Sequence, residues 1–178
     1  ALVSTAAVGS LAIGRSAHAA GDDVLRVGLI GCGGRGTGAV VNALNADKNA
    51  KLVAMADAFD WRLSDSLKRI EEIKPDQAAV DDDHRFVGLD AYRQLIDSPV
   101  DVVLITVPSH FTPIYLKAAI DAGKHVFCEK THAVDAPGVK MVMEATETAR
   151  KNGQCMVSGL AWRYHTGVRE TMKRVHDG

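Results

Sequence analysis

A glycine-rich turn carries the strongest chemical signal in the sequence. It reads Gly31-Cys32-Gly33-Gly34-Arg35-Gly36, has the spacing Gly-x-Gly-x-x-Gly, and stands between an apolar run and a helical pattern. The first glycine of such a turn permits a tight bend, the second lets the backbone approach a pyrophosphate, and the third lets the helix pack closely on the strand. The pyrophosphate lies at the helix N-terminus, where free N–H groups point at it. In this context the pattern predicts a dinucleotide-binding site that includes all six residues.

The two larger side chains of the turn leave alternatives open. Arg35 can pair with a phosphate or stand in solvent in the first helical turn, and the sequence does not separate these roles. Cys32 stands where a small side chain is needed, so packing is its simplest role. The other cysteines are Cys128 and Cys155, and no Cys-x-x-Cys pair is present. The spacing of the cysteines predicts neither a disulfide framework nor a structural zinc site.

Asp57 is predicted to select the cofactor. It ends the second apolar run, 26 residues after Gly31. A carboxylate at this point accepts hydrogen bonds from the adenosine ribose and repels a 2′-phosphate, which favours NAD over NADP. The alternative is a helix-capping or solvent-exposed Asp57. Asp60 is the better N-cap for the following helix, which leaves Asp57 free for the ribose.

Other residues suited to binding follow the later apolar runs. Ligands of an open parallel sheet bind outside the carboxyl ends of its strands, so the residues at those ends should line one crevice. We expect further cofactor contacts from Thr106, Pro108, His110, Glu129 and Lys130. A lysine ammonium in a partly desolvated cleft can polarise a substrate hydroxyl or donate a proton, which makes Lys130 the candidate catalytic residue. The alternatives are a surface lysine after a strand for Lys130 and a loop histidine without a partner for His110.

The elements that must position these residues alternate along the chain. Apolar runs predict strands at 24–30, 51–56, 85–86, 101–107, 125–128 and 155–158. Apolar residues at helical spacing predict helices at 34–46, 60–73, 89–96, 112–122, 135–152 and 166–176. The run 101–107 is the richest in β-branched residues, which is typical of a central strand covered on both faces. Strands that alternate with helices predict the α/β class with a doubly wound parallel sheet, a Rossmann-type dinucleotide-binding fold over residues 22–160.

The composition excludes several function classes. The 178 residues are 47% hydrophobic and 24% charged, and the formal net charge is −1. This charge gives no field that recruits nucleic acid or an anionic membrane, so neither is expected as a partner. The seven histidines are scattered, and the spacing of His110, His132 and His165 does not argue for a metal site.

The first twenty residues predict an export signal. Residues 1–20 form a mildly apolar run rich in Ala, Gly and Ser that ends in Ala17-His18-Ala19, a small-x-small cleavage pattern. The weak hydrophobicity and Arg15 favour the twin-arginine type, which exports folded proteins with their cofactor and would place this one in the periplasm. The charged N-terminal region of such a signal is missing, so we expect an N-terminally incomplete sequence. A disordered Ala-rich tail is the alternative.

The motifs occur in the order that characterises one enzyme family. The glycine turn is followed by Thr106-Val107-Pro108-Ser109 and by the run 122–130, Ala-Gly-Lys-His-Val-Phe-Cys-Glu-Lys. With these motifs the chain resembles the Gfo/Idh/MocA oxidoreductases over residues 24–178, and the stretch 159–164 is similar to the family's segment after the sixth strand. The resemblance implies bound NAD(P), a sugar, cyclitol or sugar-derivative substrate, and hydride transfer between that substrate and the nicotinamide.

The resemblance also implies roles for single residues. The lysine of the family's Glu-Lys motif corresponds to Lys130, which would orient the substrate and assist proton transfer. Trp162 and Arg163 correspond to contacts on the nicotinamide-phosphate side of the cofactor. The chain departs from the family at Thr131, where Pro is usual, and at Thr112, where many members have His.

A connection to a second domain is expected to start within residues 161–178. In the family that domain supplies the substrate pocket and the acid–base histidine, and it offers a surface for homo-oligomers. We therefore expect residues 22–160 to bind the dinucleotide without turning over substrate. Two alternatives stay open, a glycoside hydrolase that works by transient oxidation with bound NAD and a non-catalytic NAD-binding protein. Fold alone does not decide between them.

Overall fold

A parallel sheet forms the centre of the fold. The computed structural model describes residues 24–178, and within them six strands pair in the order β3-β2-β1-β4-β5-β6. The strands are β1 Leu25–Ile30, β2 Ala50–Asp57, β3 Arg85–Val87, β4 Val102–Ile105, β5 His125–Cys128 and β6 Met156–Ser158. The chain moves outwards from β1 first in one direction and then in the other, which confirms the predicted doubly wound α/β class.

Helices cover both faces of this sheet. They are α1 Gly34–Ala46, α2 Asp60–Ile73, α3 Ala91–Asp97, α4 Thr112–Asp121 and α5 Ala136–Lys151, whereas α6 Thr166–Asp177 follows the sheet without a buried residue. One apolar cluster joins α1 and α2 to the sheet, and a second joins α3, α4 and α5 to the opposite face. Every predicted helix and strand is present, and each observed end lies within two residues of its predicted position. Apolar periodicity was sufficient for this because each element buries a distinct face.

The central strand β1 contributes to both apolar clusters. Val27 and Leu29 belong to the cluster with α1 and α2, whereas Ile30 belongs to the cluster with α3, α4 and α5. Gly28 faces α3, since a Cβ on it would stand only 2.8 Å from Leu95 Cδ2. A strand buried on both faces reads as a near-continuous apolar run, which is how β1 appears in the sequence.

The order in which strands are added to the sheet changes direction between β1 and β4, although these two strands are parallel. The functional site lies at this point. The two strands pair from Val27 opposite Val102 to Ile30 opposite Ile105. The residues that follow them, Gly31 and Thr106, therefore leave the sheet side by side. Ligands of doubly wound sheets bind at such a reversal, outside the carboxyl ends of the strands.

The chain continues beyond β6 with little burial. A short 3-10 turn at Ala161–Arg163 leads to α6, which has no buried residue within the described part of the chain. Across residues 24–178, no helix combines the length and the apolar character that crossing a membrane requires. The export signal predicted at residues 1–20 lies outside the described residues.

Candidate functional site

A cleft of about 1200 Å³ lies along the carboxyl edge of the sheet. Most of the residues predicted for the site line this cleft, namely Gly31, Gly33, Arg35, Asp57, Thr106, Pro108, Glu129, Lys130, Trp162 and Arg163. The other predicted residues, Cys32, Gly34, Gly36 and His110, are not part of its lining. The topology thus brings together side chains that are up to about 130 residues apart in the sequence.

The glycine turn is closed by contacts that leave no space for a side chain. Gly31 has a φ of +93°, and a Cβ on it would stand 2.6 Å from the carbonyl oxygen of Thr106. A Cβ on Gly36 would collide with the carbonyl oxygen of Gly31 and stand 2.6 Å from Thr106 Oγ1. The N–H of Gly31 donates to the carbonyl of Ala56 at 2.8 Å. The backbones of β1, α1, β2 and β4 therefore approach one another closely at this turn.

The remaining glycines of the turn leave the N-terminus of α1 open. Gly33 is the N-cap, and no side chain within residues 24–178 caps this helix. A Cβ on Gly34 would meet nothing within 4 Å. The first N–H groups of α1 thus have no side-chain acceptor, at a helix end that borders the cleft. This arrangement fits the pyrophosphate of a dinucleotide, which uses such N–H groups and the positive end of the helix dipole.

Asp57 stands beside the glycine turn at the end of β2. Its carboxylate accepts the N–H of Cys32 at 2.6 Å and the N–H of Phe59 at 3.0 Å. The expectation that Asp60 caps α2 was wrong, because Phe59 is the N-cap and Asp60 is the first helical residue. Asp57 is thus already engaged, but a carboxylate can accept about four hydrogen bonds, so lone pairs remain for ribose hydroxyls.

Arg35 has a partner that the sequence did not reveal. Its Nε lies 2.8 Å and its second guanidinium nitrogen 2.5 Å from Oε1 of Glu129, and the Glu129 side chain is 8% exposed. The sequence left phosphate pairing and solvent exposure open for Arg35, whereas the structure shows an ion pair. Contacts separated by 94 residues leave no local signal, which is why sequence reasoning missed this one.

Lys130 is exposed and lines the cleft directly after β5. Its N–H donates to Oε2 of Glu129 at 3.1 Å, and the peptide bond to Thr131 is cis. Two residues further on, His132 Nε2 lies 3.0 Å from Ser158 Oγ at the end of β6. The segment that carries Lys130 is thus attached to the ends of β5 and β6. The ammonium of Lys130 is accessible to a ligand in the cleft.

Four further positions that the sequence singled out have distinct environments. Trp162 and Arg163 line the cleft from the 3-10 turn after β6, and Trp162 is 78% exposed. His110 is exposed outside the lining, with its ring 5.3 Å from the ring of Phe111. Thr112, at the position where the family often has His, is buried at the start of α4. Neither His110 nor Thr112 lines the cleft.

The two buried cysteines behave as packing residues. Cys32 lies in the apolar cluster under α1 and α2, and its Sγ contacts the carbonyl oxygen of Ala56 at 3.5 Å. Burial, reinforced by the nearby charge of Asp57, raises the pKa of the Cys32 thiol far above its ordinary value. Burial also raises the pKa of Cys128 to about 12. Neither thiol is ionised near neutral pH, so neither is suited to nucleophilic chemistry.

Sequence reasoning missed several further residues that line the cleft. These are Phe59, Arg62, Leu89, Tyr92, Phe111 and Tyr115. The rings of Tyr92 and Tyr115 stack with centroids 4.0 Å apart, and Tyr115 donates to the carbonyl of Leu89 at 3.1 Å. Arg62 lies over the ring of Trp61 and stands 3.4 Å from where a Cβ of Gly33 would be. A signal was present for Phe59 and Leu89, because each stands two residues after the end of a strand.

Comparison with known proteins gives the family of this chain. The sequence profile described as the Gfo/Idh/MocA oxidoreductase family, with an NAD-binding Rossmann fold, matches residues 25–160. The chain belongs to this family. Inositol 2-dehydrogenase of Pseudomonas fluorescens is 35% identical over 124 residues, which are 68% of this chain and 33% of that enzyme. Glycosyl hydrolase family 109 protein 2 of Shewanella sp. is 32% identical over 136 residues, which are 76% of this chain and 28% of that protein.

Solved structures agree with the family membership. Myo-inositol 2-dehydrogenase from Lactobacillus plantarum superimposes with a TM-score of 0.69 at 25% identity, over 88% of this chain and 42% of that one. Scyllo-inositol dehydrogenase from Lactobacillus casei with bound NAD(H) has a TM-score of 0.66 at 21% identity, over 88% of this chain and 42% of that one. The chain therefore spans well under half the length of the relatives it matches.

Proposed function

We propose that the protein is an NAD-dependent oxidoreductase that acts on a cyclitol, sugar or sugar derivative, and that the described residues bind the dinucleotide. The observation that carries this proposal is that Lys130 lines the same cleft as the glycine turn and Asp57. A cleft with an open helix N-terminus, a carboxylate for ribose and an exposed ammonium suits a dinucleotide and an alcohol substrate together. The inositol dehydrogenases among the relatives support the substrate class.

Several residues of the cleft have a defined task in this function. The N-terminus of α1 and the backbone of Gly33 hold the pyrophosphate, and Asp57 accepts the adenosine ribose hydroxyls. Lys130 orients the substrate hydroxyl and holds or releases a proton at its Nζ. Trp162 and Arg163 border the nicotinamide side. The nicotinamide of the bound dinucleotide supplies the hydride acceptor.

Asp57 supports NAD as the preferred cofactor. Its carboxylate would lie close to a 2′-phosphate and repel it, whereas Arg62 on the next helix offsets part of that repulsion. Structural neighbours hold both forms, since one contains NAD(H) and a biliverdin reductase from Synechocystis contains NADP+. The preference in this protein therefore depends on the balance between these two side chains.

Calorimetric titration with NAD and with NADP tests this proposal. We expect NAD to bind more tightly than NADP, and Asp57→Ala to weaken NAD by about tenfold to a hundredfold while NADP is spared. Asp60→Ala is the matched control, because Asp60 is exposed and lies outside the cleft lining. Equal loss of both dinucleotides in Asp57→Ala would leave Asp57 with a structural role only, and no binding to either would contradict the proposal.

The glycosidase relatives favour a second candidate function. Family 109 glycosyl hydrolases of Shewanella are similar to this chain, two of them at 32% identity over 76% of this chain. The same cleft could serve a glycosidase that oxidises its substrate transiently and then reduces it again. Release of free sugar from a glycoside without net NADH would favour this candidate. Activity that survives Lys130→Ala would instead favour a protein in which Lys130 has no catalytic part.

We also propose that residues 1–20 direct export to the periplasm by the twin-arginine route. The apolar run and the Ala17-His18-Ala19 pattern support this proposal. Fractionation of cells that express the protein is the test. A mature form in the periplasm that starts near residue 20 is expected, and an uncleaved cytoplasmic form would overturn the proposal.

A further inference from the structure

An ion pair crosses the carboxyl edge of the sheet between the glycine turn and the catalytic candidate. Arg35 is in the first turn of α1, and Glu129 directly follows β5. Both Arg35 contacts, at 2.8 Å and 2.5 Å, reach the same oxygen, Oε1. The other oxygen, Oε2, accepts the N–H of Lys130 at 3.1 Å. One carboxylate therefore links the helix that would hold the pyrophosphate to the backbone of Lys130.

The surroundings of Glu129 leave its carboxylate little freedom. The side chain is 8% exposed, and Gly159 presses against it, because a Cβ on Gly159 would stand 2.6 Å from Oε1. A buried carboxylate without its cation is costly, so Arg35 and Glu129 are held to each other. Arg35 itself is 48% exposed and lines the cleft. Glu129 is therefore held in place by its buried surroundings, whereas Arg35 can be reached from the cleft.

We infer that Arg35 and Glu129 form a positioning unit that sets the place of Lys130 relative to the dinucleotide site. This inference rests on the proposed function, because it assigns a task to Lys130 in hydride chemistry. Arg35 is engaged with Glu129 and is therefore a positioning residue rather than a phosphate ligand. Loss of the pair should release the backbone at Lys130 and slow turnover, while the glycine turn and Asp57 still bind NAD.

A second ion pair provides a matched control. Arg26 contacts Asp101 through Nε at 2.9 Å and through a guanidinium nitrogen at 2.7 Å, at the opposite edge of the sheet. The two arginines are similarly exposed, 46% for Arg26 and 48% for Arg35, although Arg26 contacts both oxygens of its carboxylate and Arg35 only one. Arg26→Gln and Arg35→Gln each remove an arginine that makes two contacts to a carboxylate, and only Arg35 lies next to Lys130.

The test compares Arg35→Gln, Arg35→Lys, Glu129→Gln, the double variant Arg35→Gln/Glu129→Gln and Arg26→Gln in the full-length protein. Calorimetry measures the Kd for NAD, steady-state kinetics with myo-inositol measure kcat and KM, and amide hydrogen exchange reports on the segment 129–132. We expect Arg35→Gln to lower kcat by about tenfold or more and to speed exchange in this segment, with the Kd for NAD nearly unchanged. Arg35→Lys should recover part of kcat, and Arg26→Gln should change neither quantity.

Three results would overturn the inference. A Kd for NAD that rises as much as kcat falls would make Arg35 a phosphate ligand. Exchange at 129–132 that is the same in Arg35→Gln and Arg26→Gln would show that the pair does not hold Lys130. Unchanged kcat in folded Arg35→Gln would do the same. If Arg35→Gln does not fold, the double variant, which has no unpaired carboxylate, replaces it. If wild-type protein does not oxidise myo-inositol, that compound is excluded as the substrate, and the exchange and calorimetry results still decide the positioning role.

Discussion

The central sheet has an amino edge, where its strands begin, and a carboxyl edge, where they end. The two edges differ in whether their polar groups are already hydrogen-bonded. At the amino edge, glutamine side chains donate hydrogen bonds to backbone carbonyls, which are then not available to a ligand. Gln77 donates to the carbonyls of Leu44, Asp47 and Ala50 at 2.9–3.0 Å, where α1 ends and β2 begins. Gln154 plays the same part ahead of β5, with bonds to the carbonyls of Ile120 and Lys124.

At the carboxyl edge, polar groups are left available instead. The N-terminus of α1 has no capping side chain within residues 24–178, and Arg62 stands beside Gly33. Phe59 and Trp162 are 56% and 78% exposed at the two ends of the cleft. The amino edge therefore satisfies its own hydrogen bonds, whereas the carboxyl edge leaves donors and aromatic rings available to a ligand. Substitutions at the amino edge should therefore change stability alone, and those in the cleft should change affinity.

The largest effect is expected in the glycine turn, where one segment must both pack tightly for stability and bind the ligand. Gly36→Ala forces a Cβ against the carbonyl of Gly31, so we expect a loss of roughly 3 kcal/mol in the free energy of unfolding and no measurable NAD binding. Gly34→Ala is the control, because its Cβ meets nothing within 4 Å. Urea denaturation and calorimetry measure both. Equal behaviour of the two variants would show that the turn is not packed as described.

Gln77→Ala should test whether the amino edge serves stability alone. Loss of the amide leaves carbonyls at the end of α1 and the start of β2 without a donor, which costs about 1–3 kcal/mol. The Kd for NAD should not change. Gln94→Ala, an exposed position on α3, is the control for removing a glutamine. A weakened Kd in Gln77→Ala would contradict the separation of the two edges.

Arg62→Ala should have a smaller and purely functional effect. The guanidinium lies beside the glycine turn, so its loss should weaken NADP by about tenfold and NAD by less, because Arg62 offsets the charge of Asp57 toward a 2′-phosphate. Arg69→Ala on the same helix, outside the cleft lining, is the control. Calorimetry decides the outcome. Equal weakening of both dinucleotides would assign Arg62 to the pyrophosphate instead.

Asp101→Asn should give the smallest effect, and it depends on pH. The hydrogen bond from Arg26 lowers the pKa of Asp101, although partial burial opposes this. A carboxylate with a lowered pKa stabilises the fold above the ordinary Asp pKa of about 3.9, and this contribution is lost as the pH falls through the lowered value. Asp101→Asn should therefore cost less than about 1 kcal/mol at neutral pH, and the difference should shrink in acid. Denaturation at several pH values measures it, and a difference that grows in acid would contradict this assignment.

Local patterns were sufficient to predict the elements and the glycine turn. Gly31, Gly33 and Gly36 stand at the spacing that the turn requires, and Asp57 ends a strand whose apolar run is visible in the sequence. The sequence determined these features because each depends on neighbours a few residues away, through backbone conformation or the burial of one face. The order of the motifs was sufficient to indicate the family as well.

The distant partners of Arg35 and Asp57 were decided by the tertiary structure alone. Arg35 bonds to Glu129 across 94 residues, and Asp57 accepts the N–H of Cys32 across 25. His110 stands two residues after Pro108, which lines the cleft, but does not itself line it. Arg62, which the sequence did not single out, does line it. Such outcomes depend on how helices are set against the sheet, and a linear pattern of polar residues contains no record of that distance or direction.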